Sequence, residues 1–110
     1  MTFDAQNLQA FNDAFLQVLK AVVKDTPRGW DGGTLVIQKH KLGVQCELFN
    51  PTTGQSIPVN HVIVQLSQQF ADFKRSDNWD NDWSKVTIQY SFEDPSVDYT
   101  ATRKFTYPNR

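Results

Sequence analysis

The residues best suited to chemistry gather in one stretch, Ser76 to Phe92, which reads SDNWDNDWSKVTIQYSF. Its first half sets Asp77, Asp80 and Asp82 among Trp79 and Trp83. Carboxylates so close together could hold a hard cation or act as an acid–base pair. An EF-hand calcium loop needs a glycine at its sharp turn and a terminal glutamate. SDNWDNDW has neither, which leaves at most weak calcium binding by Asp77, Asn78, Asp80 and Asp82. A glycosidase sets two carboxyl groups across its substrate. That calls for a concave site framed by long loops, which a chain of 110 residues hardly offers. There is no HExxH, no clustered Cys/His zinc spacing and no nucleophile elbow. The plainest alternative is a solvated, turn-forming loop.

A binding device fits the stretch better. Tryptophan supplies large apolar contact area, and peripheral carboxylates steer and orient a basic partner. Between positions 77 and 98, Asp77, Asp80, Asp82, Glu93, Asp94 and Asp98 are opposed only by Lys85. A protein that handles nucleic acid has a basic active surface, and an acidic surface can block it by imitating phosphate charge. The candidate partner-binding residues are therefore Asp77, Trp79, Asp80, Asp82, Trp83, Glu93 and Asp94. Trp83 stands between two roles, because it also begins the strand that follows and can serve as its inward anchor.

Other reactive residue types read as structural. His61 falls in the first turn of a helix with no serine or cysteine nucleophile identifiable beside it, and reads as solvated or capping. His40 falls in a turn. Cys46 lies in an alternating apolar run and reads as a small buried hydrophobe rather than a reactive thiol. The loop DTPRGWDGG, Asp25 to Gly33, has no Walker or dinucleotide pattern. Its Trp30 reads as closing one end of the core.

Positioning these residues falls to two helices and five strands. Leu8, Phe11, Phe15, Val18, Leu19 and Val22 recur at three- and four-residue spacing and predict a helix over 4–24. Asp4 or Thr2 is its candidate cap, and Pro27 and Gly29 stop it. Strands are predicted over 34–39, 44–49 and 55–59, joined by turns at 40–43 and 50–54. Three consecutive strands favour an antiparallel meander. Pro58 marks an edge or a strand end. Asn60 caps a second helix running from His61 to Lys74 or Arg75. Its buried stripe is Ile63, Leu66, Phe70 and Phe73, broadened by Val62 and Ala71. Period-two alternation of Val86, Ile88, Tyr90 and Phe92 gives the strongest strand, over 83–92. A last strand covers 97–105, with Val97, Tyr99, Ala101, Arg103 and Phe105 in one phase. Arg103 interrupts that apolar phase, as expected at a sheet margin. The order α-β-β-β-α-β-β predicts an α+β fold in which two amphipathic helices pack on one face of a mainly antiparallel five-stranded sheet. Strand order is not legible from this pattern.

Composition sets the bounds. A single domain over 1–110 is expected from the length. At 39% hydrophobic residues, the chain has enough apolar material for a core and too much for disorder. A net charge of −1 argues against direct binding of nucleic acid or an anionic membrane. A single cysteine rules out an internal disulfide and suits a reducing compartment. MTFDAQNLQAF lacks the basic and apolar regions of a signal peptide, and no apolar run is long enough to span a bilayer. The expected location is cytoplasmic.

The chain resembles the YezG-like family of small bacterial immunity proteins, which protect cells against polymorphic toxins. The resemblance rests on an N-terminal amphipathic helix, PRGW at Pro27 to Trp30, and hairpins. A second helix then ends QQFADFKR at Gln68 to Arg75, and WSKVTIQYSFEDPS follows at Trp83 to Ser96. One difference is that Lys85 to Phe92 runs without the glycine turn usual in that family. The resemblance implies a stoichiometric inhibitor that needs no turnover and no cofactor. Its partner would be a cognate toxin domain with a basic surface, bound by a monomer or weak homodimer. Two other classes remain: a small-ligand or metal-binding domain, which needs a pocket of convergent polar groups, and a structural adaptor that pairs through a sheet edge.

Overall fold

A computed structural model describes residues 5–41, 43–72, 83–94 and 98–107. Helix α1 spans Ala5–Lys24, followed by strands β1 (Gly32–His40), β2 (Gly43–Phe49) and β3 (Ser56–Ile57). Helix α2 (His61–Ala71) precedes β4 (Lys85–Asp94) and β5 (Asp98–Thr106). The element order is the expected one. All five strands form one sheet in the order β3-β2-β1-β4-β5, and every neighbouring pair is antiparallel. β4 therefore passes over its predecessor in sequence to lie between β1 and β5.

Register and alternation explain the two faces. Leu35 lies between Leu48 and Ile88, and Ile37 between Cys46 and Val86. These positions, with Tyr90, form the sheet side of a core completed by Phe11, Val18, Leu19 and Val22 of α1 and Ile63 and Phe70 of α2. Both helices thus cover the same face. The other face carries Thr34, Gln38, Thr87, Gln89, Thr100, Thr102 and Lys104, all exposed or half-buried. Among the described residues no helix is long and apolar enough to cross a membrane.

The helix limits have local causes. Asn60 accepts a hydrogen bond from the Val62 amide at 2.8 Å and caps α2, satisfying one of the donors that a helix start leaves unpaired. Asp72 closes its described end. Beyond α1, the Trp30 amide donates to the Pro27 carbonyl at 3.3 Å. Gly29, at φ 91°, occupies the turn position that needs a left-handed backbone.

Several stripe expectations need correction or fall outside the description. Val62 is 45% exposed and does not broaden the buried stripe; its neighbour Ile63 takes the inward position. Ser67 is fully buried on the same face, at a position the apolar pattern skipped. The Leu8 side chain, Phe73, Val97 and the caps Thr2 and Asp4 lie outside the described residues, as do Lys74 and Arg75.

Candidate functional site

Trp83 is where the acidic stretch meets the fold. It precedes β4 and is only 2% exposed. Its ring lies 5.7 Å from Phe70 of α2 and 5.7 Å from Phe105 of β5, centroid to centroid. The Lys39 ammonium stands 4.1 Å over the ring, a cation–π contact whose worth rises as it is shielded from water. Phe70 also meets Phe11 at 5.0 Å and Phe15 at 6.0 Å, so the aromatic cluster ties both helices to the β4–β5 edge. The expectation that Trp83 offers surface to a partner is corrected by this burial. Its area is already spent inside the molecule.

Asp77, Trp79, Asp80 and Asp82 lie outside the described residues. Glu93 and Asp94 end β4, where a register shift falls between Phe92 and Asp94; their side chains are likewise outside the description. The backbone settles one point about them. Trp83 precedes β4 and Glu93–Asp94 close it, so the two acidic groups join opposite ends of a ten-residue strand, about 30 Å apart at strand rise. The two groups thus attach to the sheet at opposite ends of β4.

The surroundings of Trp83 contain a feature the sequence reading missed. The Lys39 amide donates to the Ser84 carbonyl at 2.9 Å, and Gln38 is registered opposite Lys85. The end of β1 and the start of β4 thus bring Lys39, His40, Lys41 and Lys85 to the same end of the sheet. The signal was present in the run KHK at 39–41. Its relevance appears only once β1 and β4 are known to be neighbours. His40 Nε2 lies 3.1 Å from Gln45 Oε1 across the hairpin, and His61 is exposed at the start of α2. Among the described residues, His40 meets only the Gln45 amide in a side-chain hydrogen bond.

At the opposite end, a concavity of about 310 Å³ opens on the polar face of the sheet. Thr34, Gln89, Ser91, Thr100 and Thr102 line it, with Pro51 at its side. Ser91 and Thr100 hydroxyls lie 3.1 Å apart across β4 and β5. Its described lining brings no carboxylate, amine or imidazole, so it collects hydrogen-bonding groups without charge. Among the described residues no group of three His, Cys, Asp or Glu gathers to hold a metal.

Two polar groups are built into the core margin. Arg103 lies on the helix-facing side of β5, with its guanidinium 4.6 Å from the Phe15 ring and 5.5 Å from Phe11. It donates to Asn12 Oδ1 at 2.9 Å. The margin expected for Arg103 is thus the β5 edge, and burial lowers its pKa. Cys46 is half-buried, and burial raises its thiol pKa more than the neighbouring Ser67 hydroxyl lowers it. Ser67 Oγ is buried with no partner in good hydrogen-bond geometry, so its contact with the thiol is a weak one. A raised pKa keeps Cys46 a thiol near neutrality, as expected for a core residue.

Tyr90 joins the α1 exit to the sheet. The Thr26 hydroxyl donates its only proton to the Val22 carbonyl at 2.7 Å, so in the Thr26–Tyr90 bond the phenol is the donor. Burial is the main cause of the raised Tyr90 pKa, and the Asp25 charge adds to it. A phenol whose folded pKa is raised stabilises fully below the unfolded value of about 10 and loses that contribution as pH climbs through the folded value. Tyr90→Phe will therefore cost about 1 kcal/mol near neutrality, for the lost hydrogen bond. The difference from wild type will shrink above about pH 10. Urea unfolding at pH 7 and at higher pH checks both; a gap that stays constant contradicts the assignment.

Comparison of the chain with protein-family models, with curated proteins and with solved structures finds no match in any of the three.

Proposed function

We propose that the chain is an immunity protein that binds a cognate toxin domain, nuclease-like and basic on its active surface, and inhibits it one to one in the cytoplasm. The observation that supports this most is the anchoring of Trp83. The described chain leaves α2 at Asp72 and resumes at Trp83, whose ring is held by Phe70 and Phe105. The acidic stretch is thus tethered to the core at its C-terminal limit. With Trp83 committed inward, recognition falls to Asp77, Trp79, Asp80 and Asp82. Lys39, Lys41 and Lys85 at the same end of the sheet supply the opposite sign, which restricts the orientations a basic partner can take. Glu93 and Asp94 close the end of β4 opposite Trp83 and add acidic charge there.

Stoichiometric inhibition places the effect of charge on encounter rather than on chemistry. Reversing Asp77, Asp80 and Asp82 to Lys will slow association with the toxin about 10- to 100-fold at low salt, with a smaller change in dissociation. The slowing will fade as salt screens it. Stopped-flow binding to the toxin encoded by the neighbouring gene measures this. Full toxin activity in the presence of excess wild-type protein would refute the function. Unchanged association at low salt would refute this choice of contact alone.

A further inference from the structure

The two edges of the sheet are unequal. β3 has two residues and is followed at once by Pro58, which has no amide proton to offer a new strand. β5 has nine residues with no proline, and among the described residues no strand pairs with its outer side. Natural sheets blunt such edges, because a bare ladder templates another strand. Part of β5 is also uncovered on the helix side. Ala101 shares its phase with Arg103 and Phe105, yet it is exposed where they are half-buried.

The strand reads DYTATRKFT. Asp98 near one end and Lys104 near the other fall in the same alternation phase, at equal distances from Ala101. An antiparallel pairing of two copies centred on Ala101 sets Ala101 across from itself and Thr100 across from Thr102. It also sets Asp98 of each copy across from Lys104 of the other, with the smallest side chain of the strand at the two-fold axis. Centring the pairing on Thr102 instead sets Lys104 across from Thr100 and Asp98 across from Thr106, losing both charge pairs. Opposite charges directly across a ladder favour a register, and like charges oppose it. The register shift between Phe92 and Asp94 places its extra residue on β4; Tyr99 to Thr106 pair regularly with β4, and Asp98, opposite Asp94, adjoins Tyr99 directly on the β5 side.

We propose that β5 pairs antiparallel with β5 of a second copy of this chain, in the register centred on Ala101. The two sheets then form one continuous antiparallel sheet, with the helices of both copies on one face. The pairing is independent of the toxin reading.

The test uses the full chain and two variants, Asp98→Lys and Lys104→Asp, each checked by circular dichroism for a wild-type melting transition. Sedimentation equilibrium is run over about two decades of concentration, up to about 1 mM. Wild type will show a concentration-dependent dimer. Each variant alone brings like charges together and will raise the dimer Kd about tenfold. An equimolar mixture restores both opposite-charge pairs and will recover wild-type association as a heterodimer. Ala101→Glu, at an exposed position, offers a second disruption that leaves positions 98 and 104 untouched. A wild type that stays monomeric throughout overturns the proposal and leaves the edge to a strand of another protein. Variants that self-associate like wild type, or a mixture that fails to recover, overturn the register and with it the proposal.

Discussion

Replacing Trp83 with alanine will destabilise the protein by about 4 kcal/mol, within the range for deleting a large aromatic from a packed core. The ring is 2% exposed and touches elements from both layers, Phe70 of α2 and Phe105 of β5. Its removal opens a cavity bordered by rigid aromatic rings, which cannot collapse into it as flexible aliphatic chains would. It also strips Lys39 of the ring it lies over. A domain of this size is held by only about 5–15 kcal/mol, so the variant loses a large share of its margin. Trp83→Phe keeps part of the stacking and will cost about half as much. Urea denaturation followed by far-ultraviolet circular dichroism is the right measurement, because Trp83 is itself a fluorescent reporter. Curves that shift by less than the equivalent of about 1 kcal/mol would show that the ring is not packed as described. If the variant still folds in the cold, the proposed toxin binding predicts an association rate close to wild type, since the carboxylates proposed to steer encounter are intact.

Gly32→Ala will be nearly as damaging, for a different reason. Gly32 is registered opposite Ser91 at the start of β1. An added methyl there runs into the backbone carbonyl of Tyr90 and lies 2.9 Å from Ser91 Cα. Both obstacles are main chain, so no side-chain rotation relieves them. The two strands must separate where the Phe92 amide donates to the Asp31 carbonyl at 2.8 Å. A cost of about 3 kcal/mol follows, at the upper end for overpacking. Gly29→Ala is the informative comparison. Nothing lies within 4 Å of its added methyl, but its φ of 91° imposes strain, worth about 1 kcal/mol. Thermal unfolding of the two variants side by side separates a clash from backbone strain. A Gly32→Ala protein no less stable than Gly29→Ala would show that β1 and β4 are not this close.

The contrast between those glycines marks where sequence reasoning stops. Periodicity located both helices and all five strands, because a stripe at helical spacing or an alternating run is a local consequence of having one buried face. It also assigned Val86, Ile88 and Tyr90 to the core. It could not distinguish Gly32 from Gly29, since close approach to Tyr90 depends on a strand more than fifty positions away. Strand order escaped it for the same reason. Trp83 was ambiguous because its residue type suits a core and an interface equally, and only Phe70 and Phe105 closing around it decide. Val62 misses the buried stripe because Ile63 and Phe70 set the rotation of α2, and Ser67, four residues after Ile63 and three before Phe70, falls on that inward line although its type gave no apolar signal. Glu93 and Asp94 stand close to Asp77 to Asp82 in sequence, yet β4 separates Trp83, where the acidic stretch joins the sheet, from the end that carries Glu93 and Asp94.

The passage of β4 between β1 and β5 bears on how the chain reaches this state. β1 finds its first neighbour, β2, through a short hairpin, but its second through the pairing of Gly32 with Ser91. Closing so long a loop costs entropy before any ladder bond repays it, and topologies dominated by such contacts fold slowly. During synthesis, the N-terminal side of the sheet can assemble while one flank of β1, the strand that becomes central, is still bare. Until Lys85 to Asp94 has emerged, Leu35 and Ile37 lack the strand that finally covers them. That interval is when the nascent chain is most exposed to mispairing with its neighbours.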